Sequence, residues 1–168
     1  MTSRTIINQT LAILTGASKS TIDRNGVELK NAGIIKSKGR GRNAVVMGAG
    51  DAANIIIALL GSQNPKEAPR AVKEYGPLID IDGGSDETFF SVLSGLLTDG
   101  ADDVDYVSIN RSYPSVEIKF EDGHSQFFED DTNADYDPLN FAFEVEAKIS
   151  GKVTTHICNL IWGEANCG

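Results

Sequence analysis

The Gly76-Pro77 pair is the strongest single constraint on this chain. Gly tolerates left-handed backbone angles and Pro cannot continue a helix, so no regular element runs through the pair. The charge changes sign at the same place. Residues 1–75 carry 11 Lys and Arg against 5 Asp and Glu, a net of +6, whereas residues 76–168 carry 4 against 19, a net of -15. The whole-chain charge of -9 averages two different electrostatic objects. As an average it argues against a polyanionic partner; resolved, it leaves the first stretch free to meet nucleic acid and turns the second away from it. Two domains are therefore expected, 1–75 and 76–168.

Composition excludes several classes. With 40% apolar and 23% charged residues the chain is neither a disordered tail nor a collagen-like repeat. Its longest apolar run, Ile55 to Leu60, is far short of the roughly 20 residues a membrane-spanning helix needs. No leader pattern opens the chain, which leads us to expect a cytoplasmic protein with no membrane partner. Cys158 and Cys167 are too few for a disulfide framework.

In the basic stretch, Asn8 to Leu14 reads as a short helix ended by Gly16, a residue suited to a left-handed cap. Ser18 offers the N-cap of a second helix running to Ala32, with Gly33 just beyond its end. Leu11, Leu14, Ile22 and Leu29 are spaced so that two crossed helices share a small core. Ile34 to Lys38, then Gly39-Arg40-Gly41-Arg42, then Asn43 to Met47 read as a β-hairpin with a basic tip.

Leu11-Ala12-Ile13-Leu14-Thr15-Gly16-Ala17-Ser18-Lys19-Ser20-Thr21-Ile22-Asp23-Arg24, continuing through Leu29-Lys30-Asn31-Ala32-Gly33-Ile34-Ile35, resembles the helix-turn-helix and wing entry of bacterial winged-helix transcription regulators. More loosely, Gly39 to Leu60 is similar to small helix-turn-helix proteins encoded by bacteriophages and prophages. The chain departs from the pattern at Gly26, where an apolar residue is usual and Gly costs about 1 kcal/mol of helix propensity. It also has only seven residues before its first helix. Asp51 to Leu60 is expected to take the packing role of the missing N-terminal helix.

The resemblance implies a recognition helix in the major groove of double-stranded DNA. Its exposed residues would be Lys19, Ser20, Thr21, Arg24 and Asn25, with Arg24 forked onto guanine and Asn25 paired with adenine. Lys36, Lys38, Arg40 and Arg42 would follow the backbone or enter a minor groove from the wing.

Gly48-Ala49-Gly50-Asp51-Ala52-Ala53 fits the glycine pattern of dinucleotide-binding turns, which requires a βαβ unit. Asn64-Pro65 follows instead of a second strand, so Asp51 is expected simply to cap a helix, and no cofactor is expected. A further helix, from Pro65 or Ala68 to Tyr75, carries the stripe Ala68, Ala71, Val72 and Tyr75.

The acidic stretch reads as a helix opened by Ser85-Asp86-Glu87 and running to Leu97. Strands follow at Val104 to Asn110, Val116 to Phe120, Ser125 to Phe128 and Phe141 to Ile149, then a closing helix from Gly151 or Lys152 to Trp162. The expected fold class is α+β: an N-terminal winged helix-turn-helix plus a small antiparallel sheet with two covering helices. His156-x-Cys158 lacks further metal ligands and its members diverge on a helix. Asp131-x-Asn133-x-Asp135-x-Asp137 alternates like a calcium loop, but Tyr136 and Ala142 replace its Gly and Glu. No nucleophile motif stands in the chain, so neither enzymatic activity nor a metal is expected.

Together these readings point to a sequence-specific DNA-binding protein, a phage-type transcription regulator. It would form a homo-oligomer, a dimer first, and its acidic domain would serve self-association or a protein partner. The alternatives are a DNA-packaging or replication accessory protein of the small-terminase kind, and a protein-interaction or virion protein without DNA binding.

Overall fold

The computed structural model describes residues 4–36, 47–81, 83, 86–100, 102–130 and 146–162. Their fold is α+β. Helices α1 (Arg4–Thr15) and α2 (Lys19–Asn31) come first, then α3 (Ala49–Gly61), a 3-10 turn (Pro65–Glu67) and α4 (Ala68–Tyr75). Strand β1 (Ile79–Asp80) and helix α5 (Phe89–Asp99) lead into β2 (Val104–Asn110), β3 (Ser115–Phe120) and β4 (Ser125–Glu129). The last elements are β5 (Glu146–Ser150) and α6 (Gly151–Trp162).

The strands form one antiparallel sheet in the order β1-β4-β3-β2-β5. Alternation along β2 and β3 sends Val107, Ile109, Val116 and Ile118 into the core. Gly123, at φ 91°, makes the β3–β4 turn that the Asp122-Gly123 pair announces.

Helix α3 is the hub. Ala52 to Ala58 are all buried, including Asn54 and three consecutive isoleucines, so this helix is enclosed on every side rather than along one stripe. It packs on α2, α4 and α5 and reaches β2 and β5. The sheet is therefore covered by three helices, not two: α3 and α6 lie against β2 and β5, and α5 packs on both helices and sets Phe89 against Phe128, ring centroids 5.5 Å apart. The reason is the all-round apolar surface of α3, which the two helices before it cannot enclose alone.

Several boundaries differ from expectation. α1 begins at Arg4 rather than Asn8, because Ile7 extends the buried face that Leu11 continues. α3 is capped by Gly48, and Asp51 sits inside its first turn. α5 starts at Phe89 with Thr88 as its cap, the side chain accepting from Ser91 N, so Asp86 and Glu87 precede the helix, and Ser85 lies outside the described residues. β1, only two residues long, carries no sequence pattern of its own. The expected wing tip with Lys38, Arg40 and Arg42, the calcium-like spacing Asp131 to Asp137 and the residues Phe141 to Val145 of the expected last strand lie outside the described residues.

The buried side chains run on across Gly76. Ile7, Leu11, Ile22 and Leu29 belong to the same core cluster as Leu93, Val107, Ile118 and Ile157. Two polar contacts cross the boundary as well: Tyr75 Oη donates to the Asn110 carbonyl at 3.1 Å, and Arg111 donates to the Leu59 and Leu60 carbonyls at the end of α3. Among the described residues no helix is long and apolar enough to cross a membrane.

Candidate nucleic-acid interface

The α1–α2 turn is built as its residues dictate. Gly16 adopts φ 71°, a region that L side chains rarely enter, and closes α1 by donating to Ala12 O at 3.1 Å. Ser18 then caps α2: its Oγ accepts from Thr21 N at 3.0 Å and lies 2.8 Å from Thr21 Oγ1. Three residues thus separate the helices, and the first turn of α2 is turned outward.

On that outward face the structure brings Lys19, Ser20 and Arg24 together, all exposed. They line an open groove with Asp23, Val27 and Arg4 of α1. Thr21 does not line the groove; it is half-buried and tied to Ser18. Asn25 does not join them. It is 1% exposed, on the inner face that Ile22 and Leu29 define at spacings of three and four residues. The 100° step from Arg24 to Asn25 carries the amide away from the surface, so Asn25 is removed from the base-reading set.

Asp23 is the acid in this basic groove. Its Oδ2 pairs with Lys19 Nζ at 2.6 Å and its Oδ1 accepts from Asn8 Nδ2 at 2.9 Å. The Lys19 ammonium and the Asn8 amide hold its carboxyl below the usual carboxylate range, so it stays ionised near neutral pH. With Arg4, Lys19 and Arg24 charged, the groove remains net positive.

Arg4 and Val27 are absent from the sequence expectation. The available signal for Arg4 was Gly26: a glycine inside a helix marks a place where something approaches closely. A Cβ at Gly26 would lie 3.3 Å from Arg4 Cζ. Of the cations expected on a wing, Lys36 is described and exposed, and its charge acts on Asp51 in the first turn of α3.

The glycine run at Gly48 opens α3 and is followed by the 3-10 turn and α4, so no βαβ unit forms there. On α6, His156 is exposed with Nδ1 3.0 Å from Lys152 O, while Cys158 is buried; they face apart, as helical spacing requires.

The chain matches no family model, no curated protein and no solved structure. The functional reading of the groove therefore rests on its geometry and charge.

Proposed function

We propose that this chain is a non-enzymatic, sequence-specific DNA-binding protein, a phage-type transcription regulator that sets α2 in the major groove and its basic wing on the backbone or minor groove. The observation that carries the reading is the groove on α2, where Lys19, Ser20 and Arg24 share an exposed, net-positive face with Arg4. A helix of this width fits a major groove, and Arg24 offers the planar fork that guanine O6 and N7 accept. Val27, one turn on, gives apolar surface for a thymine methyl group. The acidic stretch faces away from the duplex, since a net of -15 is repelled by phosphate. The working form is a homodimer in the cytoplasm, which presents two α2 helices to half-sites about 34 Å apart.

Selection of bound duplexes from a random pool, followed by fluorescence anisotropy at several salt concentrations, tests the proposal. Arg24→Ala is expected to cost about 1–3 kcal/mol on the selected site and to relax its sequence preference. Arg40→Ala with Arg42→Ala should weaken binding to all sequences and flatten the salt dependence. Equal binding by the wild type and the triple variant would sink the reading. Light scattering separates the roles: a ring of eight or more subunits would favour DNA packaging over regulation.

A further inference from the structure

Arg4 opens α1, yet its side chain belongs to the surface of α2. It lines the same groove as Lys19 and Arg24, and its guanidinium lies on the backbone of Gly26. A Cβ at Gly26 would meet Arg4 Cζ at 3.3 Å, Nε at 3.4 Å and Nη1 at 3.6 Å. Arg4 Nη1 donates to Gly26 O at 3.4 Å, a long bond and the one hydrogen bond its five guanidinium donors make among the described residues. The carboxylate in the groove, Asp23, is hydrogen-bonded to Lys19 and Asn8 and reaches Arg4 only as a longer-range attraction, the smallest of the influences on its own charge. Among the described residues Arg4 is therefore a cation seated against Gly26 with no ion-pair contact within 4 Å.

We infer that Arg4 is a phosphate-binding residue of the α2 surface, seated over Gly26 so that its fork takes a DNA backbone phosphate beside the bases that Arg24 reads. This rests on the DNA-binding reading above and adds a division of labour to it. Arg4, at the edge of the groove and on another helix, positions the duplex; Arg24, on α2 itself, discriminates. It also gives Gly26 a reason to stand inside a helix: a Cβ there would press on the guanidinium, and a longer side chain would take its seat.

The test measures anisotropy of the full chain on the selected duplex and on a scrambled one, from about 50 to 200 mM salt. Arg4→Ala should weaken both complexes several-fold, keep their affinity ratio, and lower the slope of log affinity against log salt by about 1. Arg4→Lys should keep the slope, because the charge remains, with weaker binding than Arg. Gly26→Ala, which asks the guanidinium to give by only a few tenths of an ångström, should keep the wild-type salt slope, whereas Gly26→Leu, which fills its seat, should lower the slope as Arg4→Ala does, an outcome that a purely structural role for the contact does not produce. If the wild type binds DNA and Arg4→Ala leaves the slope unchanged, this assignment is wrong while the DNA-binding reading stands. If the wild type binds neither duplex at any salt, both are overturned.

Discussion

Asp51 shows how burial and charge compete at one residue. Its carboxylate accepts the Gly48 N–H across the first turn of α3 and feels the charge of Lys36, and both favour ionisation. Burial is the larger effect and pushes its carboxyl above the usual range. The folded chain therefore holds this proton more tightly than the unfolded chain. The stabilisation from the neutral form is complete below the unfolded value of about 3.9 and is lost as pH rises through the folded value. Asp51→Asn, which keeps an acceptor for Gly48 without the charge, is expected to raise the thermal midpoint at pH 7. Near pH 3, where Asp51 is itself neutral, the two proteins should melt alike. A lower midpoint for the variant at pH 7 would mean that the charged bond to Gly48 outweighs burial. At this scale the sequence was readable where a residue acts on its own neighbours, as with Gly16 and Ser18. It misleads where the answer lies across the fold: the amide of Asn25 suits adenine but is buried on the inner face of α2, and the helix propensity lost at Gly26 goes with the Arg4 guanidinium packed against it.

Among the elements, α3 depends on a cap from elsewhere. Ser62 Oγ donates back to Ala58 O, but the Leu59 and Leu60 carbonyls receive the guanidinium of Arg111, 51 residues from Leu60 along the chain. Unpaired carbonyls at a helix end are costly when they are shielded from water. Arg111→Ala is expected to lower stability by about 1–3 kcal/mol in urea denaturation, with little change in the denaturant slope. A loss below about 0.5 kcal/mol would show that water replaces the guanidinium there. The helices α1, α2 and α6 and the strands β2 to β4 were legible because their periodicity and turn residues are local. β1 was not, because a two-residue strand exists only through its pairing with β4: Ile79 opposite Glu129, and Asp80 opposite Phe128. The early start expected for α5 failed for a related reason. Phe89 N bonds to Leu78 O at 2.8 Å, Thr88 bridges to Ile79, and these contacts hold the preceding segment outside the helix.

In the whole molecule, the charge division and the packing follow different lines. The basic and acidic stretches meet at Gly76, but α3 extends the core of the first into the sheet layer of the second. Urea unfolding followed by far-ultraviolet circular dichroism and by the fluorescence of Trp162 on α6 is therefore expected to give one coincident transition. Two separated midpoints would mark residues 1–75 and 76–168 as independent folding units. What the sequence determined by itself is everything carried by near neighbours: the Gly16 turn, the Ser18 cap, the alternation of the strands and the opposite signs of the two stretches. Only the tertiary structure decided the central place of α3, the inward turn of Asn25, the seat of Arg4 over Gly26 and the cap from Arg111. Each of these joins residues far apart in the chain. Apolar area, helix rotation and an unfilled Cβ position constrain such pairings without naming the partner, and the partner is chosen when the surfaces close on one another.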